Sequence, residues 1–340
     1  MIHLRAVALA LTGLLLGGCV SSILAHKIVA PPNKSGIRPL FADSEILKHA
    51  PDAFAATWIV DVGPPKARIA VASIEAGDYG FTYDLEMSYP EGKDPKIDSF
   101  NAYWRAAAQV QHVPPRGTIL LLHGYLQNRN YVVPWAVRLA QAGFRCAVLD
   151  LRGHGASTGD HISFGAFESQ DITQVLDDLA RRGWDVSRVG LFGVSYGASI
   201  ALLTAGHDSR VNTVVALEPF ASAERAVPEL MRAAFANEAR GITDRQFAAA
   251  HVKEAKIAGF RWSQADIQAA LARTSAPVLF IHGEKDGWLS PDHSRELARQ
   301  APAGSKLVLS PLDNHVSLPL QVAKFAPQVV AWFEAGLRKP

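Results

Sequence analysis

From residue 118 onward, short, largely apolar runs rich in valine, isoleucine and leucine recur at 118–122, 144–149, 189–192, 211–217, 277–281 and 307–309. Runs that do not alternate with polar residues predict strands buried on both faces, as in a parallel sheet. Helical patterns over 132–142, 167–181, 292–300 and 320–335 separate them, and a small-residue helix follows 189–192. The rhythm predicts a doubly wound α/β sheet, which carries its functional residues at the carboxyl ends of its strands.

Upstream the pattern changes. Strand-like stretches at 53–62, 68–75 and 81–89 are separated by Gly63-Pro64-Pro65 and Gly77-Asp78-Tyr79-Gly80. Phe81, Tyr83, Leu85 and Met87 alternate with mostly polar neighbours, which predicts a half-buried strand. Together these stretches read as a small antiparallel entry to the larger sheet. A short helix is expected over 100–110, with Trp104 as packing. Between Glu218 and Ser275 the strand rhythm stops, and three helical stretches (223–238, 244–258 and 263–272) predict a cap over the strand ends. Its Met231, Phe235, Phe247, Phe260 and Trp262 either line an acyl-accepting cleft or fasten the cap to the body.

The N-terminus predicts targeting. One arginine within residues 1–5 precedes an apolar run over 6–18, too short to span a bilayer and suited to a signal-peptide core. The run ends Leu16-Gly17-Gly18-Cys19, which resembles the lipobox of bacterial lipoproteins. That resemblance implies an acylated Cys19 as the mature N-terminus and attachment to the cell envelope by a lipid anchor. With Val20 rather than Asp next, it implies the outer membrane, facing the periplasm, in a Gram-negative host. An ordinary secretory signal or a short anchor helix is the other reading. Residues 21–38, with Pro31-Pro32, Asn33, Lys34, Ser35 and Gly36, read as a tether.

Composition narrows the chemistry. With 49% hydrophobic and 19% charged residues, the chain can bury a large core. A net charge of +2 without a basic cluster gives nucleic acid no electrostatic footprint. The two cysteines, Cys19 and Cys146, exclude a disulfide framework and a Cys-rich zinc site. Cys146 lies in an apolar run and reads as a small buried hydrophobe. No glycine-rich nucleotide cradle follows the first strand of the βα series.

Gly193-Val194-Ser195-Tyr196-Gly197 fits the G-x-S-x-G nucleophile elbow, in its required strand–turn–helix setting. Glycines two residues either side of the serine let strand and helix approach closely. A serine nucleophile needs a base, and the base an orienting acid. Asp286 follows strand 277–281 through His282-Gly283-Glu284-Lys285. His315 follows a later strand through Pro311-Leu312-Asp313-Asn314. The order Ser, Asp, His is the one expected of an α/β-hydrolase. Glu218, at the end of the strand before the cap, is an alternative acid. Asp313 stands on the wrong loop for that role, and His282 reads as a buried or loop histidine.

With His123-Gly124, Asp150-Leu151-Arg152-Gly153-His154-Gly155-Ala156-Ser157, Gly283-Glu284-Lys285-Asp286 and Asn314-His315, the chain resembles the α/β-hydrolase superfamily. It is most similar to the capped esterases and to monoacylglycerol-lipase-like and lysophospholipase-like members. The resemblance covers about 115–336. It implies an α/β-hydrolase fold: a mostly parallel central sheet, helices on both faces and a small helical cap. The expected organisation is a signal peptide (1–18), a lipidated tether and extension (19–52), a first core segment (53–218), a cap (219–275) and a second core segment (276–340).

It also implies a serine hydrolase acting on carboxylic esters, with Ser195 as nucleophile, His315 as base and Asp286 as its acid. Backbone N–H groups of Tyr125 and Tyr196 would form the oxyanion hole, with His123, Gly124, Gly193 and Gly197 shaping the supporting loops. Asp150, Arg152 and His154 read as loop-shaping. No cofactor or metal is required. The expected partners are a small-molecule or lipid ester and a membrane reached through the anchor, with oligomeric state left open. Acyl transfer, amide cleavage and a non-catalytic envelope scaffold are the rival readings.

Overall fold

The computed structural model describes residues 19–37, 41–91 and 93–338. The expected signal peptide, 1–18, lies outside them. In chain order the strands are β1 (Ala56–Val62), β2 (Ala67–Ile74), β3 (Thr82–Ser88), β4 (Lys96–Tyr103), β5 (Thr118–Leu122), β6 (Arg145–Leu149), β7 (Val189–Val194), β8 (Val211–Leu217), β9 (Val278–Gly283) and β10 (Lys306–Ser310). Helix α1 covers residues 19–29. It is followed by α2 (Glu45–His49), α3 (Val133–Gln141), α4 (Glu168–Arg181), α5 (Tyr196–Ala205), α6 (Ala223–Ala234), α7 (Asp244–Ala258), α8 (Ile267–Leu271), α9 (Asp292–Gln300) and α10 (Val322–Gly336).

Eight strands form one sheet in the order β1-β2-β6-β5-β7-β8-β9-β10. β2 runs antiparallel to both of its neighbours, and the pairings from β6 to β10 are parallel. The unalternating apolar runs have the expected cause. On β5, Leu120 and Leu122 join one core cluster while Ile119 and Leu121 join the other. β7 divides likewise, with Val189 and Leu191 on one face and Phe192 and Val194 on the opposite one. Helices α4 and α5 cover the first face, and α3 and α10 the second. Each large aliphatic side chain buried this way contributes about 1.5–3 kcal/mol. The sheet is therefore stiff where its strands end, which is where the elbow sits.

Three regions depart from expectation. Residues 100–110 do not form a helix: β4 ends at Tyr103, and a single 3-10 turn spans Ala107–Gln109. β3 and β4 instead make a separate two-stranded sheet, so 81–89 does not enter the main one. Trp104 packs on Phe81, with ring centroids 6.2 Å apart.

The stretch read as a tether lies against the body. α1 buries Leu24, Ala25, Ile28 and Val29 in the first core cluster. Asn33 then fastens the chain to the Gly153 loop, its amide donating to Gly153 O at 3.0 Å and its side chain to Ser157 O at 2.8 Å.

Within the expected cap, α6 and α7 stand between β8 and β9, while α8 packs on the core. Gly206, just after α5, leaves room for Ala270, which a Cβ there would approach within 2.5 Å. Phe247 and Phe260 are buried with the core. Trp262 stacks on His251, with ring centroids 3.8 Å apart. These residues and Met231 fasten the cap, whereas Phe235 faces the cavity described below. No helix among the described residues is long and apolar enough to cross a membrane.

Candidate active site

β7 delivers Ser195 into a turn with φ 50° and ψ −111°, a backbone conformation strained for any residue bearing a Cβ. The strain is held by packing: the Ser195 amide donates to Leu217 O on β8 at 2.7 Å. The flanking glycines are sterically required. A Cβ on Gly193 would lie 2.4 Å from Gly197 O, and one on Gly197 would lie 2.4 Å from Leu122 O. α5 then starts at Tyr196, whose amide belongs to the first helical turn and has no intrahelical carbonyl to serve.

Ser195, His315 and Asp286 come together in one hydrogen-bonded row. His315 Nε2 lies 3.0 Å from Ser195 Oγ, and its Nδ1 lies 2.6 Å from Asp286 Oδ2. Asp286 is tightly held. Its Oδ1 accepts the Trp288 and Leu289 amides at 2.9 Å each, and Oδ2 also faces His282 Nε2 at 3.1 Å. Burial pushes its carboxyl up, but the charge on His315 and the bonds to His282 and His315 outweigh this and hold it well below the usual carboxylate range. The Trp288 ring lies beside His315, with centroids 5.3 Å apart.

The turn before His315 is built by its neighbours. Asn314 Oδ1 accepts the Val316 and Ser317 amides at 3.1 and 2.9 Å. Asp313 takes Lys324 and Gln321 at 2.8 Å each, and the Ser310 hydroxyl. Burial raises its carboxyl, and the bonds from Lys324, Ser310 and Gln321 more than offset that and lower it. Asp313 therefore braces the loop and does not touch the imidazole.

The second loop of the site follows β5. His123 is fully buried. Its Nδ1 faces Gly124 O at 2.8 Å and its Nε2 faces the Leu151 amide at 3.0 Å, so the proton sits on Nδ1. Burial pushes this imidazole down to about 4. Gly124 donates its own amide to Gln127 Oε1 at 2.9 Å. Tyr125 lines the cavity above Ser195, and its ring packs edge-on to Tyr196 at 6.2 Å.

Asp150 accepts the Arg129 and Ala156 amides at 2.7 and 2.8 Å. Arg152 makes a buried two-point contact with Asp171 at 2.8 and 2.7 Å. His154, also buried, bonds Arg152 O through Nδ1 at 2.9 Å. None of these three lines the cavity.

Sequence reasoning missed three contributors. Glu168 on α4 accepts the Tyr196 hydroxyl, two amides and the Ser163 hydroxyl. Ser163 and Gly165 lie three to five residues before it and only the Tyr196 hydroxyl comes from farther along, so its link to the elbow depends on a contact that no local pattern marks. His282 orients Asp286, anchored itself to Ser294 Oγ at 2.7 Å. The H-x-x-x-D spacing within one strand-end loop was its only available signal. Gln127 was the third.

A cavity of about 300 Å³ opens above Ser195 and His315, walled by Phe41, Tyr131, Trp135, Leu230, Phe235 and Trp288. Among the described residues its lining includes no aspartate, glutamate, lysine or arginine. Glu218, Asp286 and His315 offer ligand atoms within 4.8 Å of one another, a spacing that a metal ion accepts. Asp286 and His315 are already engaged with each other there.

Residues 113–258 match the family described as serine aminopeptidase, S33. The Bacillus subtilis protein YqkD is 28% identical over 200 residues, covering 57% of this chain and 64% of its own length. The Aspergillus aculeatus thiohydrolase aneE is 29% identical over 153 residues, 43% of this chain and 47% of its own. Both shares fall below two thirds of the relative. Among solved structures, the Pyrococcus furiosus esterase Pf2001 superposes with TM-score 0.56 at 15% identity, covering 85% of this chain and 96% of the esterase. The 2,6-dihydroxy-pseudo-oxynicotine hydrolase gives TM-score 0.56 at 16% identity, covering 86% of this chain and 71% of the hydrolase. The sheet order, the strained serine turn and these likenesses together give the chain the α/β-hydrolase fold.

Proposed function

We propose that the protein is a serine hydrolase that cleaves carboxylic esters with an apolar acyl group. One observation carries the reading: a hydrogen-bonded Ser195–His315–Asp286 row at the floor of an aromatic-walled cavity. Ser195 Oγ attacks the acyl carbonyl while His315 Nε2 takes its proton. Asp286 keeps the remaining proton on Nδ1 and stabilises the imidazolium. The oxyanion is held by the Tyr125 and Tyr196 amides. The imidazolium then protonates the departing alcohol, and water, activated by the same imidazole, releases the acid and restores Ser195.

The similarity to serine aminopeptidases raises peptide cleavage as a rival. An aminopeptidase must hold a free α-ammonium, and among the described residues the lining of this cavity offers no carboxylate for it. That favours esters. The test uses the whole chain with p-nitrophenyl esters from acetate to decanoate and a fluorophosphonate probe. We expect turnover and labelling at Ser195, both lost in Ser195→Ala with folding intact. Hydrolysis that persists in that variant would sink the proposal.

The lipid anchor is proposed alongside. Cys19 is exposed at the start of α1, so acyl chains there would leave the packed body undisturbed. The site would then work at the envelope, where apolar esters are concentrated.

A further inference from the structure

The four adjacent strands β7, β8, β9 and β10 each deliver one polar residue at or beyond their carboxyl ends: Ser195, Glu218, Asp286 and His315. The proposed mechanism uses three of them and leaves Glu218 without a part. Glu218 directly follows β8 with φ 52°, in the left-handed region that disfavours a Cβ. Its amide donates to Ile281 O on β9 at 2.9 Å, which brings its carboxyl out beside the Asp286 loop. The side chain is 0% exposed, and its Oε2 lies 3.5 Å from His315 Nδ1. The Gly283 amide faces the carboxyl, but neither oxygen completes a hydrogen bond of normal geometry among the described residues. A buried polar group in that condition costs on the order of 1–3 kcal/mol, so an apolar side chain would serve better as mere filling.

We infer that Glu218 is a second acid for His315, placed to accept the Nδ1–H hydrogen bond in the place of Asp286. The inference rests on the serine-hydrolase reading, in which His315 is the base. The groups facing Glu218 explain why it stands in reserve. From the β9 side come Asp286 and the Gly283 amide. From the β10 side come His315 and Asp313, the latter paired with Lys324. Ser195 on the β7 side is uncharged. Two carboxyls beside one imidazole do not both ionise readily. Burial first, then the Asp286 and Asp313 charges, hold Glu218 in its protonated form.

Removing the Asp286 charge takes away the larger of the two charges that oppose ionisation of Glu218, burial remaining. Glu218 then releases its proton to solvent as it closes by roughly 1 Å on the His315 Nδ1–H, whose hydrogen bond offsets the cost of burial. Glu218 is thus a positioning residue that acts through the imidazole.

The experiment compares Asp286→Asn with the double variant Asp286→Asn/Glu218→Gln. Asparagine keeps an oxygen for the Trp288 and Leu289 amides, and Asp286→Ala with and without Glu218→Gln repeats the comparison should asparagine not be accommodated. Loss of the acid in a triad with no substitute lowers kcat by about 10⁴. We expect Asp286→Asn to lose only about 10–100-fold, and the added Glu218→Gln to remove at least about another 100-fold. In proteins labelled with ¹⁵N-histidine, a downfield Nδ1 proton on His315 should persist in the single variant and vanish in the double. Equal, roughly 10⁴-fold losses in both variants, with no downfield proton in either, overturn the inference. The proton readout needs no turnover, so it judges Glu218 separately from the Ser195→Ala and labelling tests that judge the hydrolase reading.

Discussion

The Tyr196 hydroxyl donates to Glu168 Oε1 across 3.0 Å, tying the residue that follows Ser195 to helix α4. Glu168 is wholly buried and also takes the Ser163 and Gly165 amides at 2.8 and 2.9 Å. The tie holds the first turn of α5, and with it the Tyr196 amide proposed for the oxyanion. Tyr196→Phe leaves a buried carboxylate short of one donor. The expected cost is about 1–3 kcal/mol in urea unfolding, with kcat lowered more than KM is changed. Unaltered stability and kcat would show that the tie holds nothing.

Two buried imidazoles make stability depend on acid. Burial pushes His123 down to about 4, and burial with the nearby His123 pushes His154 down to about 3. Each folded-state value lies below that of the unfolded chain. The stabilisation is therefore fully present above the unfolded value and is lost as pH falls toward the folded ones. Between pH 8 and pH 5 each histidine should remove about 2 kcal/mol. His154→Asn deletes one such group, so urea midpoints at the two pH values should differ less in the variant. An undiminished difference would mean that His154 already takes its proton in the folded protein.

Leu230 of α6 and Phe235 just beyond it line the cavity from the cap side. Leu230→Trp fills part of about 300 Å³ without adding charge. The ratio of kcat/KM for decanoyl over acetyl esters should fall at least about tenfold, because lost apolar contact grows with chain length. A constant ratio would place the acyl chain elsewhere.

In a bacterial host, Cys19→Ser should abolish palmitate incorporation and move the protein out of the membrane fraction. If the native chain takes up no label, the anchor is disproved.

Much of the fold was legible because strand burial on both faces leaves an unmistakable record of consecutive apolar residues, as at 118–122 and 277–281. The elbow glycines were legible for a steric reason, since strand, turn and helix meet there with no space for a methyl group. The hairpin β3–β4 was misread in part because Ala106-Ala107-Ala108 lends its end a helical composition. Cross-strand pairing, with Tyr83 opposite Ala102 and Leu85 opposite Phe100, decides against it. Pairing partners are supplied by the other strand, so they leave no mark on either alone. Glu168 was hidden in part for the same reason, since its Tyr196 partner stands 28 residues on, whereas His282 lies four residues from Asp286 and its role depends on how that loop folds back.

Helix α1 changes how this protein should be produced. A recombinant form begun after residue 37, as a disposable tether would invite, strips Leu24, Ala25, Ile28 and Val29 from the first core cluster and uncovers the apolar surface beneath them. It would also remove the Ser21 and Ser22 hydroxyls that Lys253 of α7 reaches at 2.7 and 2.9 Å. Crystallisation and assay material is best started at residue 19 or 20, which keeps the helix whole.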